Sequence, residues 1–210
     1  MATPKHLECN ICGHQQHYEP FVPAVCKKCD SQWLEARYDY EGFKRDVLRG
    51  FPNRPSNMWR YRDVLPLKDT PSLDLYPAGG TPLWPSQRFA RGLGLESVYI
   101  KDERYGPTSS FKDRQAAGAV AAMLEQGVRE AVIASTGNAA VAYAAACARA
   151  GIKLWVFMTS RVPQEKLREG ALFGAEVIRV SGNYDQTKQI AAQFAQRRHL
   201  MYDRGATSIP

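Results

Sequence analysis

From Thr81 onward, apolar runs of strand length alternate with helical stretches: SVYIKDE, DRQAAGAVAAMLEQG, EAVIA, AAVAYAAACARAG, IKLWVFM, PQEKLREGALFG, AEVIRVSG, NYDQTKQIAAQFAQRR and HLMYD. Strands separated by helices long enough for a crossover leave little choice but a largely parallel sheet with helices packed against it. The predicted fold class for 81–210 is therefore α/β, with parallel sheets and flanking helices. In such sheets, ligand-binding groups collect in the turns that follow the carboxyl ends of strands. Two segments occupy that position, GPTSSFKDR at 106–114 and STGN at 135–138. The alanine-rich helices that follow them suit close helix-on-sheet packing and have high helix propensity.

The first 40 residues have a different texture, with too few apolar residues for a large core but two C-x-x-C pairs, Cys9/Cys12 and Cys26/Cys29. Two intervening residues let both sulfurs of a pair reach one ion, and two pairs complete a tetrahedron. The spacing predicts a zinc ribbon over 1–40 with structural Zn²⁺, an iron site of rubredoxin type being the alternative. Four protein ligands leave no open coordination position, so the expected role is structural. His14 and His17 are read as loop residues. Residues 41–80 are rich in Pro, Arg and aromatics and read as a connector carrying a short helix from Met58 to Val64. The fifth cysteine, Cys147, lies in an alanine-rich run and reads as a small buried hydrophobe.

The formal charge of +7 raises the question of nucleic acid. A tetrathiolate metal would lower it by about two and a bound phosphate cofactor by about two more. The basic residues are dispersed, with no dense patch and no series of stacking aromatics, so a small anionic molecule is the expected partner and nucleic acid is not. There is no apolar run long enough to span a membrane and no signal-like opening segment, so a cytoplasmic protein without membrane association is expected.

Lys112 follows a Ser-Ser-Phe turn at the start of a helix, the end of the dipole that disfavours a charged ammonium. Ser110 and Asp113 have capping-box spacing, which places Lys112 at the second helical position. A lysine that is neutral part of the time can condense with an aldehyde. In the second turn, Ser135, Thr136, Gly137 and Asn138 offer hydroxyls and free N–H groups at a helix start, an arrangement suited to a carboxylate. An ordinary helix cap would use the same residues. Lys101, at a strand end, reads as a charge paired with Asp102 or Glu103.

The series GTPL, YIKDE, PTSSFKDR, ASTGNAAVAYAAACARAG and GAEVIRVSGNYD resembles threonine synthase and its relatives among fold-type II pyridoxal-phosphate enzymes, in order over essentially the whole chain. The N-terminal ribbon resembles one carried by a subset of threonine synthase-like proteins. The resemblance implies pyridoxal 5'-phosphate as cofactor, with Lys112 as the lysine that holds its aldehyde and later moves protons between substrate carbons. It implies that Phe111 packs beside the cofactor and that Asn138 hydrogen-bonds its 3-oxygen. Ser135, Thr136 and Gly137 would hold the substrate carboxylate, and Thr81 would lie in a loop near the substrate. The implied reaction is that of a lyase in threonine biosynthesis, converting O-phosphohomoserine to threonine and phosphate.

Three positions depart from the family pattern: Ala78 where many relatives have an acid, Gly106 for a frequent Asn, and Ser109 for a frequent Gly. The glycine-rich loop for the cofactor phosphate belongs to a C-terminal half that should follow Pro210, so the 210 residues alone are expected to be inactive. They are also expected to expose apolar surface, which favours association, including into a homo-oligomer. A serine/threonine dehydratase or β-replacement enzyme of the same fold is the alternative within this chemistry. A non-catalytic zinc-ribbon module with a degenerate enzyme half is the alternative outside it.

Overall fold

The computed structural model describes residues 5–19, 25–50, 53–67 and 76–204; the closing GATSIP and parts of the predicted connector lie outside them. Four strands form a parallel sheet in the order β8-β7-β6-β9: β6 (Glu130–Ala134), β7 (Lys153–Thr159), β8 (Glu176–Val180) and β9 (Met201–Asp203). Alternate residues of β7 face opposite layers, as pleating requires. Leu154, Val156 and Met158 join a large core with α3 (Lys112–Glu125) and α4 (Asn138–Ala150). Phe157 and the half-buried Trp155 face α6 (Tyr184–Arg198), where both rings meet Phe194 at centroid distances of 5.1 and 5.0 Å. The result is a helix–sheet–helix sandwich. α4 is buried continuously from Ala140 to Cys147. A helix enclosed on all sides must be apolar all round, and alanine lets its neighbours approach closely.

The connections determine where a ligand can sit. From β6 the chain passes through α4 to β7, then through α5 (Gln164–Leu172) to β8, and finally returns through α6 to β9 on the far side of β6. The strand order therefore reverses between β6 and β9, with α4 and α6 on opposite faces. A crevice opens outside the carboxyl ends of strands at such a switch point. Those ends are marked by the Ser135 turn and by Asp203.

One strand departs from the expectation. β5 (Tyr99–Lys101) does not extend the parallel sheet but pairs antiparallel with β4 (Leu83–Pro85), Leu83 opposite Lys101 and Pro85 opposite Tyr99. All three β5 residues are exposed, so β5 has no buried face to dock into the sheet. The passage from β5 to β6 through α3 is thus a link between two sheets rather than a crossover within one. α2 (Gln87–Leu93) joins β4 to β5 within the small sheet, and α3 links the small sheet to the large one.

At the N-terminal end, β1 (His6–Cys9) pairs antiparallel with β2 (Gln15–Gln16) on one side and β3 (Leu34–Arg37) on the other. α1 (Tyr40–Gly50) follows. The short helix expected near Met58 is a 3₁₀ helix over Met58–Val64, started by Asn57, whose side chain accepts from the Trp59 amide at 3.0 Å. Trp59 is buried, and its indole N–H donates to the Tyr76 carbonyl at 3.0 Å. Tyr18 is buried too, and its hydroxyl donates to the Pro66 carbonyl at 3.3 Å, tying the cysteine-bearing segment to this stretch.

Candidate active site

The turn before α3 is built on Asp113, not on the predicted capping box. Helical geometry begins at Lys112, one position later than expected, and Phe111 occupies the cap. The Ser110 side chain accepts from the Lys112 amide at 3.2 Å. Asp113 points the other way: its buried carboxylate accepts from the Thr108 amide at 2.9 Å, the Thr108 hydroxyl at 2.5 Å and the Tyr76 hydroxyl at 2.6 Å. These bonds fold residues 106–113 into a closed loop. Ser109 takes a left-handed conformation, φ 56, which accounts for a preference for glycine there. A Cβ on Gly106 would lie 2.3 Å from Asp113 Oδ2, so the asparagine frequent in the resembled family would displace that carboxylate.

The loop delivers Lys112 half-buried to the crevice. Its Nζ donates to Gln115 Oε1 at 3.1 Å and lies 4.8 Å from the Phe111 ring centroid. Phe111 itself is 57% exposed, leaving a free aromatic face beside the amine. Lys112 and Ser135 line one cleft of about 1170 Å³, together with Arg114, Gln115, Tyr143 and Asp203. The structure thus brings Lys112 and the first residue of the STGN turn to one cavity. Thr136 and Asn138 are exposed at the start of α4, and Asn138 Oδ1 accepts from Lys166 Nζ of α5 at 3.3 Å. Gly137 caps that helix in an extended conformation.

Thr81 is placed differently from its neighbours in the candidate set. It is buried, and its hydroxyl donates to Glu103 Oε1 at 2.9 Å. Arg114 grips the same carboxylate through two bonds, Nε to Oε2 at 2.9 Å and Nη2 to Oε1 at 2.8 Å. Hydrogen bonds from Arg114, with burial opposing and Thr81 assisting, hold the Glu103 carboxyl below the usual range. Lys101 donates to the Thr81 carbonyl, and its charge also helps to hold the Glu103 carboxyl down. The Thr81 loop is therefore locked to the helix that carries Lys112. Sequence reading missed Arg114 and Glu103; the signal available was their place inside the KDR and KDE tripeptides.

The four N-terminal cysteines converge, their sulfurs all within 4.8 Å of one another. Cys9 and Cys29 sulfurs are 3.6 Å apart and those of Cys12 and Cys26 3.5 Å. Zinc–sulfur bonds of the usual length imply an S···S edge of about 3.8 Å in a tetrahedron. Burial disfavours the Cys9 thiolate, but amide N–H groups of Cys12 and Ile11 outweigh it and hold the thiol down to about 6. At Cys29 the Ser31 amide favours the thiolate, yet neighbouring thiols and burial push it up to about 12. A cation that draws in all four thiolates would displace protons from the group.

The family described as pyridoxal-phosphate dependent enzyme matches residues 75–209. The chain belongs to that family. Among curated relatives, the threonine synthase of Methanosarcina acetivorans is 35% identical over 181 residues, covering 86% of this chain and 44% of the relative. The threonine synthase of Methanocaldococcus jannaschii is 37% identical over 171 residues, covering 80% and 42%. The chain thus spans less than half the length of these relatives. A solved structure of a pyridoxal 5'-phosphate-dependent aspartate racemase superposes with a TM-score of 0.55 at 33% identity, over 59% of this chain and 39% of the other. The structural likeness is to fold-type II pyridoxal-phosphate enzymes.

For a pyridoxal-phosphate dependent enzyme, the residues present fit the aldehyde end of the cofactor. The Lys112 amine is half-buried but open to the cleft, with an amide oxygen as its hydrogen-bond partner. The Phe111 ring lies beside it, and Lys112 itself opens α3. Two further cleft groups escaped the sequence reading. The Tyr143 hydroxyl donates to Asp203 Oδ2 at 2.6 Å, between residues 60 apart in sequence, and only the closed fold reveals that pairing.

Proposed function

We propose that this chain carries the lysine-bearing portion of a threonine synthase-like lyase that converts O-phosphohomoserine and water to threonine and phosphate. The observation that carries the reading is the convergence of Lys112 and Ser135 on one cleft at the strand-order switch. The threonine synthase relatives support threonine as the product, and the motif resemblance to that family implies O-phosphohomoserine as the substrate. When bound, pyridoxal phosphate supplies an aldehyde that condenses with amines and a ring that accepts the electron pair left at a substrate carbon.

The chain's own residues would do the rest. Lys112 Nζ holds the aldehyde and, once released, removes a proton from one substrate carbon and returns one to another as phosphate leaves and water adds. Ser135 and Thr136 hydroxyls, with the free N–H groups at the start of α4, bind the substrate carboxylate. Asn138 would hold the cofactor through its 3-oxygen, and Phe111 would lie beside its ring. Thr81, tied to Glu103 and Arg114, fixes the loop on the substrate side. Cys9, Cys12, Cys26 and Cys29 hold a structural Zn²⁺ remote in role from the chemistry.

Phosphate release from O-phosphohomoserine tests this reading. We expect none from the 210 residues alone, since they span less than half the length of the threonine synthase relatives. A chimaera joining residues 1–204 to the remainder of the Methanosarcina acetivorans relative should show cofactor-dependent release. A chimaera that instead converts serine or threonine to a keto acid, without phosphate release, would replace the synthase reading by that of a dehydratase.

A further inference from the structure

Tyr143 and Asp203 have no part in the chemistry just described, yet both are buried at the carboxyl end of the sheet, 3% and 5% exposed. A carboxylate withdrawn from water is costly unless charge or hydrogen bonds compensate it, which makes its position beside the cleft informative. The hydrogen bonds lead toward Lys112. Its Nζ donates to Gln115 Oε1 at 3.1 Å, a pair three residues apart on one face of α3. With its oxygen engaged, the Gln115 amide has N–H groups to offer onward. Gln115 of α3 and Tyr143 of α4 line the same cleft, and the Gln115 amide favours negative charge on the phenol oxygen. That hydroxyl donates to Asp203 Oδ2 at 2.6 Å. The two outer links run in one direction, from lysine N–H to amide oxygen and from phenol O–H to carboxylate, and an amide N–H of Gln115 directed at the phenol oxygen would join them in the same sense. Bonds in series polarise one another in the same sense, so the series is stronger than its parts. All four side chains line the same cleft. Burial, then the Asp203 charge, push the Tyr143 hydroxyl well above the usual phenol range, with Gln115 opposing, so Tyr143 stays a donor.

We infer that Gln115, Tyr143 and Asp203 form a hydrogen-bonded relay that positions the Lys112 amine at the floor of the cleft and links it to a buried carboxylate. The three are positioning residues for the reaction of Lys112 with a carbonyl, and the inference rests on the reading of Lys112 as the aldehyde-binding lysine.

The test uses the 210-residue chain with pyridoxal phosphate as probe. Brief exposure followed by borohydride traps the covalent adducts, and mass spectrometry quantifies labelling at each lysine. Wild type is compared with Gln115→Leu, Tyr143→Phe and the double variant, with thermal melts in parallel. The initial rate at Lys112 should fall roughly tenfold in each single variant, about the upper scale of one lost hydrogen bond. The double variant should lose no more than either single one, because both open the same series. Labelling at Lys101 and Lys153 should keep its wild-type rate, which a loosened fold would not allow. Gln115 is only half-buried, so its variant serves if Tyr143→Phe melts early. An unchanged Lys112 rate, or losses that add in the double variant, would overturn the relay and leave Lys112 as the reactive lysine. Wild-type labelling that spares Lys112 would defeat that reading and the relay with it.

Discussion

Gly80 has φ +65, and a Cβ on it would lie 1.9 Å from the Ser56 carbonyl oxygen. Backbone cannot yield as a flexible side chain can, so Gly80→Ala is expected to destabilise by more than about 1 kcal/mol and to displace Thr81. Urea unfolding measures it. Asp102 offers a pH test. Its carboxyl is held down to about 2, chiefly by hydrogen bonds from the Arg104 side chain, with burial opposing. A depressed folded value means that the stabilisation is present above the unfolded value near 3.8 and is lost as pH falls toward 2. Asp102→Asn should therefore narrow its stability deficit between about pH 4 and 2; a constant deficit across that window would show that the charge contributes nothing. Single residues were legible in sequence where their meaning is local. Lys112 and Ser135 stand in turns that pattern alone places at strand ends. Arg114, Glu103, Tyr143 and Asp203 take theirs from partners 11 and 60 residues away.

At the scale of elements, the strand EAVIA and the alanine-rich helices fold where their periodicity puts them, because burial on one face or all faces dictates composition. The β4–β5 pairing was hidden: LWP contains a proline, YIK has no buried face, and no local pattern identifies such short exposed strands as partners. The capping box failed because Asp113 has stronger partners in Tyr76 and Thr108 than the helix amide it was assigned. The cysteine-bearing strands yield the third prediction. Cys26 is fully buried among the other three thiols. Cys26→Ser should abolish binding of one equivalent of zinc and raise hydrogen exchange in residues 5–40, leaving β6 through β9 protected. Purified wild-type chain without zinc or iron by elemental analysis would refute the metal reading.

For the whole molecule, the central claim is that the switch between β6 and β9 presents Lys112 to a carbonyl cofactor. Leu83, Trp84, Phe89, Leu93 and Tyr99 remain exposed on the β4–α2–β5 segment, a surface that invites further protein; the claim about Lys112 does not depend on what covers it. The most direct measurement is absorbance titration of the 210-residue chain with pyridoxal phosphate, comparing wild type with Lys112→Ala and Lys101→Ala. The account predicts a long-wavelength band in the wild type and in Lys101→Ala, absent from Lys112→Ala while its far-ultraviolet circular dichroism is unchanged. A band of wild-type intensity in Lys112→Ala would contradict it.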